Sequence, residues 1–108
     1  MALNKAVKGA RRTGQRITWT RDDRAKTPVD LTGATITARI KNVETGQVIA
    51  SDGTFTVLTT AKMNEFTWAY GESDVGSVGR FEVQFTATYT DQKRETTYPE
   101  PWEVVDAF

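Results

Sequence analysis

A chain of 108 residues with 14 basic and 14 acidic side chains is sized for one domain, burying roughly 60 to 70% of the surface its unfolded form exposes. It has no cysteine, which excludes disulfides and thiolate metal sites and leaves the fold to packing alone. Histidine is absent too, removing Ser-His-Asp and Cys-His pairs, the usual zinc ligand sets and the default base near neutral pH, so the composition points away from an enzyme.

No run of about 18 apolar residues is present, so no membrane-spanning helix is expected. Near the N-terminus Asn4, Lys5 and Lys8 interrupt Leu3, Ala6 and Val7, which is not the apolar core of a secretory signal, and synthesis in the cytoplasm is the expectation. The charges are unevenly placed. Before Asp22 stand Lys5, Lys8, Arg11, Arg12, Arg16 and Arg21 with no acid, and after Arg94 stand Glu95, Glu100, Glu103 and Asp106 with no base. Such ends are expected to meet, within the fold or between neighbouring copies.

Residues 1–14 show no strand or helix period and read as a basic N-terminal arm outside the core, with residues 15–108 as the folded body. An arm so poor in apolar residues calls for a partner or a neighbouring copy to order it. Its removal is expected to leave the body folded. Lys5, Lys8, Arg11, Arg12 and Arg16 are the candidate partner-binding residues. A nucleic-acid role for the same bases is not favoured, because no aromatics interleave with them and no second basic cluster follows.

Gln15 to Arg21 alternates Ile17 and Trp19 against Arg16, Thr18 and Thr20, a first strand. Residues 22–28 form a polar loop whose Asp22 and Asp23 lack the spaced carboxylates and glycine of a calcium loop, so a solvated turn is expected. Asp30-Leu31-Thr32-Gly33 leads into a second strand at Ala34 to Lys41, where Ile36, Ala38 and Ile40 share a face. Further strands are expected at Gln47 to Ala50, at Thr54 to Thr59 and at Glu65 to Tyr70, the last with Phe66, Trp68 and Tyr70 on one side.

The cleanest period lies in Arg80 to Tyr89, where Phe81, Val83, Phe85, Ala87 and Tyr89 alternate with polar residues, marking a central strand with one buried face. Arg94 to Tyr98 returns, Pro99 and Pro101 restrict the chain to an edge or a connection, and Trp102 and Val104 begin a last strand. Seven or eight short strands spaced by turns predict an all-β, immunoglobulin-like antiparallel β-sandwich with an N-terminal arm. Trp19, Trp68 and Trp102 fall on inward faces and read as core rather than as a sugar-binding row.

The first strand, then DLTGATITARI, TWAYGESDVGSVGRFEVQF and PEPWEVV, together resemble the N-terminal domain of the phage baseplate upper protein family over about Gln15 to Val105. The resemblance implies an immunoglobulin-like sandwich in the tail or baseplate of a bacterial virus. Residues Asp30 to Ala34, Asp74 and Gly79 carry it, and they are structural rather than catalytic. Members of that family typically continue into receptor-recognition parts, whereas here the sandwich pattern fills the sequence. With the basic arm, this implies a non-enzymatic adaptor of a phage particle, at tail, baseplate or neck, made in the host cytoplasm and bound to other virion proteins and copies of itself.

A capsid decoration protein and a free carbohydrate- or protein-binding module are the alternatives. No cofactor, small-molecule substrate or metal is expected. Were the chain an enzyme, Asp22, Asp23, Glu72 and Asp74 would have to converge in one cleft. For docking, the exposed edges are expected at Arg94 to Tyr98 and along Trp102 to Val105.

Overall fold

The computed structural model describes residues 3–10, 14–20, 28–58, 64–97 and 99–106. Among these there is no helix and there are nine strands, β1 (Ala6–Val7), β2 (Gly14–Thr18), β3 (Thr35–Asn42), β4 (Val48–Ala50), β5 (Thr54–Leu58), β6 (Glu65–Ala69), β7 (Gly79–Thr88), β8 (Arg94–Thr96) and β9 (Glu100–Val105). One sheet runs β1-β9-β7-β3-β4, with β8 also paired to β7, and the other runs β2-β6-β5. The order β2-β6-β5 facing β9-β7-β3-β4 is that of an immunoglobulin-like sandwich, strands B-E-D against G-F-C-C′.

β7 is central because its inward residues meet like partners on both sides. In register with β3, Ala87 faces Ile36, Phe85 faces Ala38 and Val83 faces Ile40, while Phe81 faces Trp102 of β9. Opposed residues on one face of a ladder are the unit that stabilises a sheet. From the second sheet Ile17, Phe66 and Trp68 complete the core, and Trp68 and Phe66 are fully buried. In place of a disulfide an aromatic cluster fills the centre. Trp68 lies 4.8 Å from Trp102, 4.9 Å edge-on to Tyr70 and 5.7 Å edge-on to Phe85, and Phe66 lies 5.3 Å from Phe85. Tilted and edge-on contacts of this kind add about 0.5–1.5 kcal/mol each beyond burial. All three tryptophans are core, at 2%, 0% and 3% exposure for Trp19, Trp68 and Trp102.

Each stretch read from the sequence as a strand forms one within its described residues, Arg21, Thr59 and Tyr98 lying outside them, and the strand not foreseen is β1. Within the described residues 3–10 this corrects the reading of an arm outside the core, residues 1, 2 and 11–13 of that arm lying outside the described residues. Ala6 is 3% exposed, Leu3 packs on the core cluster, and β1 runs parallel to β9 with Ala6 opposite Val104 and Val7 opposite Val105. With one buried position in two residues, β1 leaves too short a period to read. Its docking is fixed instead by hydrogen bonds from the segment's own backbone to groups elsewhere in the chain. The Asn4 carbonyl accepts from Trp102 Nε1 at 2.9 Å and from Gln15 Nε2 at 3.2 Å, the Asn4 amide donates to Gln15 Oε1 at 2.9 Å, and the Lys8 amide donates to the Val105 carbonyl at 2.8 Å.

The prolines end where the ladder allows them. Val83 faces Glu100 and Thr86 faces Thr96, so three steps along β7 are matched by four along its partner, the count of a β-bulge. Pro99 sits in that gap, where no ladder donor is demanded. Pro101 lies inside β9 opposite Glu82, on the stretch that β1 does not reach.

Gly53, between β4 and β5, is required for close approach. A Cβ there would stand 2.6 Å from the Ala69 carbonyl oxygen and 2.7 Å from Trp68 Nε1. Gly53→Ala is therefore expected to cost about 1–3 kcal/mol as overpacking, read as a lowered urea midpoint; an unchanged midpoint would refute this packing.

Candidate functional site

Two turns position their neighbours through aspartates. Asp30 Oδ1 accepts from the Thr32 hydroxyl at 2.7 Å and the Thr32 amide at 3.0 Å, closing an Asx-turn that Gly33 leaves at φ 76°. These bonds, the hydroxyl's first, hold the Asp30 carboxyl below its usual range. Asp52 Oδ2 accepts from the Ser73 amide at 3.1 Å, and that bond likewise lowers its carboxyl.

Asp74 does more than shape the corner before β7. It is 3% exposed, and its Oδ2 accepts from Ser51 Oγ at 2.8 Å, the Gly71 amide at 2.9 Å and the Trp68 indole at 3.2 Å. The residues 71–78 are thereby tied to β6 and to the connection after β4. Its Oδ1 is buried with no hydrogen-bond partner among the described residues. Of the other carboxylates that an enzyme would have needed, Glu72 is exposed on the same corner, and Asp22 and Asp23 lie outside the described residues.

The candidate docking bases divide. Lys5, on the segment that runs into β1, reaches Glu103 of β9 at 3.8 Å, and Arg16 of β2 reaches Glu65 of β6 at 3.7 Å. The N-terminal bases and C-terminal acids thus meet in the Lys5 pair within one chain, because the parallel β1–β9 pairing sets them side by side. Lys5 is exposed and Glu103 half-exposed, so the pair is worth about 0–1 kcal/mol. Lys8 is exposed beyond β1, and Arg11 and Arg12 lie outside the described residues.

The edges also divide. The β9 edge is covered at Val104 and Val105 by β1, which corrects its reading as an open edge. β8 pairs with β7 and with no other described strand, so the return strand keeps its edge. A further edge went unread. β4 is exposed at all three residues, with Val48 at 53% and Ile49 at 36%. The signal for it was a short apolar run without charge or proline, which by period alone is indistinguishable from a buried strand.

Inside the N-terminal end of the sandwich, Gln15 Nε2 donates to Tyr70 Oη at 2.8 Å. Burial raises the Tyr70 phenol above its ordinary 10.0. The unfolded chain therefore ionises this tyrosine first, and the native state binds the extra proton. Its contribution is fully present below pH 10 and is lost as pH rises through the folded value. Urea midpoints measured from pH 9 upward are expected to fall more steeply in the native sequence than in Tyr70→Phe, and parallel curves would refute it.

Set against family models and against curated proteins, the sequence matches none.

Proposed function

We propose that this protein is a non-enzymatic structural adaptor of a bacteriophage particle, at tail, baseplate or neck, that docks its neighbours through sheet edges and exposed basic residues. The resemblance of residues 15–105 to the baseplate family motivates the phage assignment. The observation that carries the adaptor role is the pair of edges, β4 and β8, on opposite flanks of the larger sheet, since an edge offers backbone donors and acceptors to a partner strand. Lys8 and Arg16, both exposed, supply charge for partners, and Arg11 and Arg12 adjoin them in sequence.

The test is quantitative mass spectrometry on density-purified virus particles from the source. Presence at a fixed ratio to the major tail protein is the expected result, and the ratio separates a ring from a decoration covering the capsid. Absence from particles overturns the assignment in favour of a free binding module.

A further inference from the structure

Among the described residues β4 is paired with β3 and lies against no strand of the other sheet, because the nearest of those strands, β5, sits beneath β3 instead. Ile49 stands opposite the inward Ile40 and so turns toward the interior, yet it stays 36% exposed, and Val48 on the outer face is 53% exposed. β4 thus overhangs the sandwich with apolar residues on both of its faces. It has no charge, proline or bulge of the kind that protects an edge, whereas the edge strands β2 and β8 carry Arg16 and Arg94 with Glu95.

The ladder fixes which backbone groups of β4 are free. The Asn42 amide donates to the Gln47 carbonyl at 2.8 Å and the Ser51 amide to the Ala38 carbonyl at 2.9 Å. Hydrogen-bonded pairs alternate along an antiparallel ladder, so Ile49, midway between them, bonds Ile40, and the amides and carbonyls of Val48 and Ala50 point away from β3.

We propose that a second copy of this chain occupies this edge, its β4 antiparallel to the first about a two-fold axis at Ile49. Val48 of each copy then lies opposite Ala50 of the other and exchanges both backbone bonds with it, so every free group on the edge is used. Ile49 meets Ile49 of the second copy, which gives the inward side chain the cover it lacks. Other registers are poorer. Centred on Ala50, the pair would set Val48 against Asp52; centred on Val48, it would set Ala50 against Gly46, whose amide is already donated to the Asn42 carbonyl at 2.8 Å. In the Ile49 register no charge opposes its like. Arg39 and Lys41, which flank Ala50 and Val48 on the outer face, come to lie three strand spacings from each other across the axis, about 14 Å, beyond the screening length of about 8 Å at physiological salt. Three residues a side fall short of the about 1,200 Å² of a stable interface, so the contact is weak in dilute solution and takes hold where copies are gathered in an assembly. This deepens the adaptor role, on which it rests, by naming the occupant of one edge.

The sequence has no cysteine, so an introduced one reports a single contact. Under mild oxidation Ile49→Cys is expected to give a disulfide-linked dimer, its Cα atoms standing about 4.5 Å apart within the about 4.4–6.8 Å that a disulfide spans. Val48→Cys alone is expected to give little dimer although its site is more exposed, because Val48 and its copy stand about 8 Å apart. Mixing Val48→Cys with Ala50→Cys is expected to restore the dimer, and it tests the same register should Ile49→Cys not fold. Ala50→Pro removes an amide that points away from β3 and leaves the chain's own ladder whole; added to Ile49→Cys, it is expected to abolish the crosslink. No dimer from Ile49→Cys, or as much from Val48→Cys alone, which is the mark of chance collision, overturns the proposal. Presence in virus particles or absence from them changes none of these readings.

Discussion

Asp74→Ala is expected to destabilise the sandwich by about 3–5 kcal/mol, because it strands the buried Trp68 indole and Gly71 amide donors, at about 1–3 kcal/mol apiece, and frees the Ser51 hydroxyl. That is a large share of the about 5–15 kcal/mol that separates folded from unfolded in domains generally. The damage is local in sequence and central in space. Trp68 touches Phe55, Tyr70, Phe85 and Trp102, so an indole released from Asp74 loosens the cluster joining the sheets. Asp74→Asn retains one acceptor oxygen and is expected to lose far less. Urea denaturation followed by tryptophan fluorescence measures both, and a loss below about 1 kcal/mol in the alanine variant would show that water satisfies these donors.

Removing residues 1–9 is expected to cost as much. The deletion takes Ala6 out of the core and uncovers the β9 edge at Val104 and Val105. It also strips partners from Trp102 Nε1 and from both ends of the Gln15 amide. Two stranded buried groups at about 1–3 kcal/mol each, with the lost apolar contact added, give about 3–6 kcal/mol. By contrast Lys8→Glu, at an exposed site, is expected to change stability by no more than about 0.5 kcal/mol. Thermal unfolding of the two variants separates the roles, and an unaffected truncation would restore the picture of a removable arm. Docking by the basic residues is accordingly tested by charge reversal, since truncation would confound it with unfolding.

The alternation in Phe81 to Ala87 and in Ile36 to Ile40 was sufficient to place β7 and β3, because a strand with one wet face must repeat every two residues whatever it packs against. Asp30 and Gly33 were legible for the same local reason, since an Asx-turn closes within three residues. The Asp74 site was legible only as a corner. Its partners Ser51 and Trp68 lie 23 and 6 residues away, and no spacing rule connects a carboxylate to an indole across a sandwich. β4 was recognised as a strand while its exposure was not, because Val48-Ile49-Ala50 reads the same buried or bare.

By itself, then, the sequence determined an all-β chain with its strands, its turns and the inward side of each tryptophan, all consequences of short-range periodicity and backbone preference. Tertiary structure alone decided that Ala6–Val7 is sheet rather than arm, that Lys5 meets Glu103, that β4 is a bare edge and that Asp74 is buried with one oxygen unpaired among the described residues. Each of these depends on which strands become neighbours, and neighbourhood is set by the closure of the whole sandwich around Trp68, Phe66 and Phe85.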